Sequence, residues 1–167
     1  PRGLDKSLVM RLAGCEWIKE HNNLIITGPT GVGKTYLACA FAQKACREGY
    51  STLYLRISKL FENLALSKGD GRYLKLLASF AKADLLVLDD YGLEQLCRDQ
   101  RHDLLEILED RHGLKSTLVT SQLPIDHWHE QIGDPTRADA ILDRLGHSAH
   151  KIKLDGHSMK KKNANLT

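Results

Sequence analysis

The chain has 167 residues, 42% hydrophobic and 27% charged, with a formal net charge of +3; such values describe an ordinary one-domain globular protein and exclude a disordered or collagen-like chain. The mild positive charge permits contact with nucleic acid without requiring it. No apolar run nears the roughly 20 residues of a membrane span, the start PRGLDKSL has no signal-peptide pattern, and four scattered cysteines (Cys15, Cys39, Cys46, Cys97) predict buried thiols of a reduced, cytoplasmic protein.

Leu4, Leu8, Leu12, Cys15 and Ile18 recur at three- and four-residue spacing and predict a helix ending near His21. NLIIT (23–27) is short, apolar and β-branched, a strand pattern; Thr35 to Arg47 is helical, and Gly49 is placed to end it. STLYLR (51–56) predicts a second strand, followed by helices from Ile57 to Leu66 and Tyr73 to Ala83 joined by a turn at SKGDG (67–71). DLLVLDD (84–90) is a third strand whose unbroken apolar character implies burial on both faces. An amphipathic helix from Gln100 to His112 leads to a fourth strand, STLVTS (116–121). Short helices from Ile125 to Gln131 and Thr136 to Leu145 precede a fifth strand, HKIKLD (150–155), and residues 160–167 form a polar tail. Strands alternating with helices predict an α/β fold, a five-stranded parallel sheet flanked by helices, as one domain over residues 1–167.

The chemistry concentrates in GPTGVGKT (28–35), which fits G-x-x-x-x-G-K-[ST] between a strand and a helix. Its glycines permit turns in which successive backbone N–H groups converge on phosphate oxygens. The nucleotide contact is expected to span Gly28, Pro29, Thr30, Gly31, Val32, Gly33, Lys34, Thr35 and Tyr36. Lys34 is placed to reach the β- and γ-phosphates of ATP, and Thr35 to put its hydroxyl on Mg²⁺. LLVLDDYG (85–92) ends a buried strand with two carboxylates, at the sheet edge where parallel strands open onto a ligand crevice. Asp89 is expected to hold Mg²⁺ through water and Asp90 to orient the attacking water, with Glu94 as the reserve candidate for that base. The histidines, including HWH at 127–129, lack metal-ligand spacing; Trp128 is expected to anchor its short helix instead.

Together the cradle, LLVLDDYG, GDGRY, TSQLP, IGDPT and ILDRL resemble the IstB branch of the AAA+ ATPases, helpers of IS21-type transposition related to DnaC-like helicase loaders; the resemblance runs from Pro1 to Lys162. It implies a P-loop AAA+ core. Family members carry a further N-terminal domain, and the chain opens without methionine, so an N-terminal part of the full protein is expected to be missing. The resemblance implies that Gln122 senses the γ-phosphate; glutamine, where loaders usually carry asparagine, points to the transposition branch. It makes Arg144 in ILDRL the arginine finger, reaching the nucleotide of a neighbouring subunit. Arg137 shares the helical face and is expected to be solvated. No sensor-2 arginine is matched, since SMKKK (158–162) offers only lysines, and no C-terminal helical lid is evident. Related initiators grip DNA with an extra helix after the second strand; here residues 58–82 carry Lys59, Lys68, Arg72 and Lys75, candidates for phosphates of double-stranded DNA without base readout.

These expectations combine into an ATPase that hydrolyses slowly alone, assembles with ATP into a homo-oligomer on DNA, and serves a transposase. A replicative helicase loader shares the engine and differs in client. A small-molecule P-loop kinase needs a lid with arginines closing over the phosphoryl groups, and here the arginines sit in a late helix. A module that holds ATP without turnover is kept open by Asp90 in place of the glutamate common at that position.

Overall fold

The computed structural model describes residues 5–156. Leu4, the SMKKK lysines, the polar tail and the expectation about a lid lie outside the described residues. The short apolar runs form β1 (Asn23–Thr27), β2 (Thr52–Arg56), β3 (Leu85–Tyr91), β4 (Ser116–Ser121) and β5 (Ala149–Lys153). All pair in parallel, in the order β2-β3-β4-β1-β5. β1 and β4 are buried along their whole length and β3 nearly so, as their unbroken apolar runs predict, whereas the edge strand β2 is half open.

Alternate strand residues feed two cores on opposite faces. On one, Leu24, Ile26, Leu85, Val87 and Leu118 pack against α1 (Lys6–Ala13), α2 (Glu16–Lys19) and α3 (Lys34–Arg47). On the other, Ile25, Leu86, Leu88 and Val119 are covered by α4 (Ile57–Asp70), α5 (Tyr73–Lys82), α6 (Arg98–Arg111), α7 (Trp128–Ile132) and α8 (Pro135–Gly146). Trp128 is fully buried there, its ring 4.7 Å from that of Tyr91 and its indole N–H donated to Leu123 O at 2.8 Å, so it is the anchor expected of it. IGDPT punctuates the chain: Gly133 (φ 87°) ends α7, the Asp134 carboxylate accepts from Arg137 N at 2.9 Å to cap α8, and Pro135 occupies the first turn.

Two elements depart from the sequence pattern. The single helix expected to run to His21 is broken at Cys15, which takes a left-handed φ of 63°. The break lets Trp17 donate its indole N–H to Leu12 O (3.0 Å) and turns Trp17 and Ile18 into the core. The SKGDG segment is helix rather than turn: α4 continues through Asp70 and ends only at Gly71 (φ 81°). Asp103 of α6, nearly buried, holds that last turn by accepting from Lys68 Nζ (3.2 Å) and from the Tyr73 hydroxyl of α5 (2.5 Å), offsetting the weak helix propensity of Gly69.

The cysteines also differ from expectation. Cys15 is buried and Cys39 half-buried, but Cys46 on the outer side of α3 and Cys97 at the start of α6 are exposed; all four are free. A further buried group carries no sequence signal. Arg111, 1% exposed at the end of α6, donates to Phe80 O (2.8 Å), Ala83 O (2.6 Å), Ser116 O (2.5 Å) and Thr117 Oγ1 (3.0 Å). It ties the end of α5 to the start of β4, and burial pulls its pKa down to about 10 against a partial offset from Asp84. No helix among the described residues is long and apolar enough to cross a membrane.

Candidate nucleotide-binding site

The loop of residues 28–33 joins β1 to α3 at the carboxyl edge of the sheet. Gly33 is the N-cap of α3 with φ 102° and supplies no side-chain cap, so the first-turn amides stay available to an anion. Gly28 meets a different demand: a Cβ there would stand 2.6 Å from Leu154 O, because Leu154 N donates to Thr27 O (2.8 Å) and brings the chain after β5 against the loop. Val32 is buried in the α3-side core and offers a ligand only its backbone, while Tyr36 is 81% exposed. A cavity of about 600 Å³, of small-ligand size, opens beside Gly28 and Pro29 towards Gln122, Ile125 and Leu154.

Lys34 lies beneath the loop, 7% exposed, its Nζ donating to Gly28 O (2.7 Å) and Pro29 O (2.9 Å). Burial pushes its pKa down, and the carboxylates of Asp90 and Asp89 partly offset that. Both carboxylates are therefore close enough for the lysine to feel.

Asp89 and Asp90 diverge because the sheet slips between them. Leu88 pairs with Val119 and Tyr91 with Ser121, three steps along β3 against two along β4. The extra residue is a bulge, and Asp90 absorbs it with a left-handed φ of 59°. Thr120 fills the gap from β4: its hydroxyl donates to Asp89 Oδ1 and accepts from Asp90 N (3.0 Å). Asp89, 1% exposed, thus faces α3, where the Thr35 hydroxyl reaches its Oδ2 at 2.9 Å and its Oδ1 at 3.1 Å. Asp90 turns outward, 3.9 Å from Arg56 Nε, and lines with Glu94 a cavity of about 130 Å³ against the first turn of α4.

Gln122 also meets the loop, its Oε1 accepting from the Thr30 hydroxyl at 2.5 Å. Arg144 does not join this cluster. Its backbone carbonyl accepts from Asn23 at the opposite end of β1 (3.3 Å), and its guanidinium lies 2.6 Å from Asp143 and 4.0 Å from Glu109. Five residues of strand at about 3.3 Å each put it some 15 Å from the loop of its own chain. Arg137, at the start of α8, is half-buried rather than fully solvated. Among the four basic candidates for DNA, Lys59 pairs with Glu62 (3.5 Å), Lys68 with Asp103 and Arg72 with Asp70 (2.7 Å). Lys75 is exposed and has no ion-pair partner among the described residues.

Sequence reasoning passed over Tyr54 and Arg56, and over the bond of Thr120 to Asp89; all three reach the carboxylates from the strands flanking β3. The Tyr54 hydroxyl donates to Asp89 Oδ2, and burial together with that bond raises its pKa. No cluster of three or more His, Cys, Asp or Glu able to hold a metal occurs among the described residues. A buried carboxylate beside one hydroxyl is a hard, incomplete oxygen set; it suits Mg²⁺, which keeps most of its positions for water and phosphate.

The sequence model of the family described as IstB-like ATP binding protein matches residues 1–167. A putative insertion sequence ATP-binding protein from Sinorhizobium fredii is 59% identical over 160 residues, covering 96% of this chain and 65% of that protein. The putative ATP-binding protein of insertion sequence IS21 from Pseudomonas aeruginosa is 33% identical over 160 residues, covering 96% and 60%. The chain therefore spans 65% and 60% of the length of these two relatives. Among solved structures, the DnaC helicase loader superposes with a TM-score of 0.76 at 23% identity, covering 89% of this chain and 87% of that one. A DnaA replication initiator bound to AMPPCP and single-stranded DNA gives 0.72 at 20% identity, covering 95% and 51%. At those identities the likeness is one of fold: a five-stranded parallel sheet flanked by helices, with the glycine loop after β1. The chain belongs to the IstB-like ATP-binding protein family.

Proposed function

We propose that this chain is the ATP-hydrolysing part of an insertion-sequence helper protein that works on double-stranded DNA with a transposase. The observation that carries the reading is the meeting of Thr35 with buried Asp89 at 2.9 Å, beneath a glycine loop whose lysine is already folded under it. Loop amides and the start of α3 would hold the phosphates, with Lys34 exchanging its two carbonyl partners for β- and γ-phosphate oxygens. Thr35 and Asp89 would hold Mg²⁺, which supplies charge neutralisation across those oxygens. Asp90, on its outward bulge, would orient the water that attacks the γ-phosphorus as the bond to ADP breaks. Glu94 lines the same cavity. Gln122, held at the loop by Thr30, would sense the γ-phosphate. Arg144 lies at the far end of its own sheet and would serve a neighbouring copy, making ATP a joint between subunits.

The names of the relatives, insertion sequence ATP-binding proteins, favour a transposase as client. A helicase loader is the second reading, supported by the DnaC-like fold. Phosphate contacts to DNA would fall first to Lys75. The test is calorimetry of Mg·ATP with the wild type and Lys34→Ala, then light scattering with a non-hydrolysable analogue, with and without duplex DNA, for the wild type and Arg144→Ala. Micromolar uptake lost in Lys34→Ala, and DNA-promoted assembly lost in Arg144→Ala, are expected. Absence of Mg·ATP uptake by folded wild type would overturn the reading, and normal assembly of Arg144→Ala would remove that residue from it.

A further inference from the structure

Strand alternation assigns Asp90 to the face of Leu86 and Leu88, in the core beneath α4 to α8. It assigns Tyr91 to the face of Leu85 and Val87, against α3. Tyr91 instead packs in the other core, beside Trp128. The slip between Leu88 and Tyr91 therefore changes the phase of β3 and leaves Asp90 as the extra residue, half-buried and paired with no residue of β2 or β4. Two hydroxyls of β4 reach across the slip. That of Thr120 accepts from Asp90 N (3.0 Å), and that of Ser121 donates to Tyr91 O (2.6 Å). Thr120, 0% exposed and on the α3 face like Leu118, also donates to Asp89 Oδ1.

We infer that Thr120 is a positioning residue for hydrolysis: its hydroxyl holds the bulge that turns Asp89 towards Thr35 and Asp90 towards the cavity beneath α4. The inference rests on the ATP-hydrolysis reading above. An ionised carboxylate only accepts and a backbone N–H only donates, so one atom that serves both must itself donate and accept, as a hydroxyl oxygen does. Valine has the same shape and can do neither. Loss of the hydroxyl falls unequally on the two acids. Asp89 keeps the hydroxyls of Thr35 and Tyr54 and its place opposite Arg56 in the ladder. Asp90 has no ladder partner to fall back on, so it is the residue set loose. The nucleotide cradle is held by other bonds, from Lys34 to Gly28 O and Pro29 O and from Thr30 to Gln122. Orientation of the attacking water is thus lost while nucleotide binding is kept.

The test is steady-state ATP hydrolysis in the presence of duplex DNA, with fluorescent-nucleotide binding in EDTA, for the wild type, Thr120→Val and Thr120→Ser. Misplacing a reacting group by about 1 Å can cost about 100-fold in rate. Thr120→Val is expected to lose at least about tenfold in kcat, with KM and EDTA binding within about threefold of the wild type. Excess Mg²⁺ should not restore it, and Thr120→Ser, which keeps the hydroxyl, should recover most of the rate. If Thr120→Val does not fold, Thr120→Ala is read by the same criteria. A kcat loss under about threefold overturns the inference. So does a parallel loss of nucleotide binding or a serine variant as slow as the valine one, since each marks a merely structural role. Recovery by excess Mg²⁺ overturns it as well, because Thr120 would then act through Asp89 alone. A wild type that binds nucleotide without turnover overturns the parent reading, and the inference falls with it.

Discussion

Replacing Arg111, itself 1% exposed, by methionine removes one guanidinium and leaves Phe80 O, Ala83 O and Ser116 O without their side-chain donor. An orphaned buried acceptor costs about 1–3 kcal/mol, so the three carbonyls alone set a nominal range of about 3–9 kcal/mol. Part of that is returned, because the cation no longer has to be desolvated; its pKa of about 10 records that penalty. The Thr117 hydroxyl can rotate to another acceptor. A net loss of about 3 kcal/mol follows, a large share of the roughly 5–15 kcal/mol that holds a domain folded. Trp17 and Trp128 are both buried, on opposite faces of the sheet, and their fluorescence follows urea unfolding in each core. With a slope near 2 kcal/mol per molar, the midpoint should fall by about 1.5 M. A fall below about 0.3 M at unchanged slope would show that these carbonyls find other donors and that Arg111 is not the tie between α5 and β4.

Gly28→Ala must push Leu154 O away from 2.6 Å, so nucleotide affinity should drop at least about tenfold with about 1–3 kcal/mol of stability, measured by calorimetry and urea titration. Asp84 accepts from Lys115 Nζ (2.8 Å) and Ser51 N (2.9 Å), which hold its pKa below the usual carboxylate value. Because the folded pKa is depressed, its contribution is present above the unfolded value of about 4 and lost as pH falls through the folded one. Asp84→Asn should therefore cost about 1 kcal/mol at pH 7, with the gap from the wild type closing on acidification. Lys68→Met should lower stability by about 1–2 kcal/mol, since Asp103 loses its cation in a nearly buried setting. Lys75→Ala should leave stability unchanged and reduce the salt slope of DNA binding by about one.

The loop and the strands are legible in the chain because their signals are local. A glycine turn followed by lysine and a hydroxyl is written in eight consecutive residues, and a strand buried on both faces is a run such as LLVL. What escapes notice depends on distant partners. SKGDG reads as a turn from its glycines, but Asp103, 35 residues after Lys68, pins it as helix. The divergence of Asp89 and Asp90 is set by a slip against β4, and nothing in the DD pair announces a slip. Tyr54 and Thr120 resemble ordinary strand residues until the sheet order places them on either side of β3. Arg111 closes an amphipathic helix like any surface arginine; only folding directs it inward.

The placement of Arg144 at the foot of β1 and of the glycine loop at its head gives each chain a direction. A contact bringing the foot of one copy to the head of the next joins unlike surfaces, so it repeats from copy to copy rather than pairing with itself as a twofold contact does. If Arg144 serves a neighbouring copy, such a contact closes into a ring or runs on as an open row according to its rotation, and an open row would present a free loop at one end and a spare guanidinium at the other. Mixing Lys34→Ala with Arg144→Ala copies would then rebuild intact junctions wherever a sound loop meets a sound arginine. Partial recovery of turnover in the mixture, from two silent parents, would show that each site is completed by a residue of another copy.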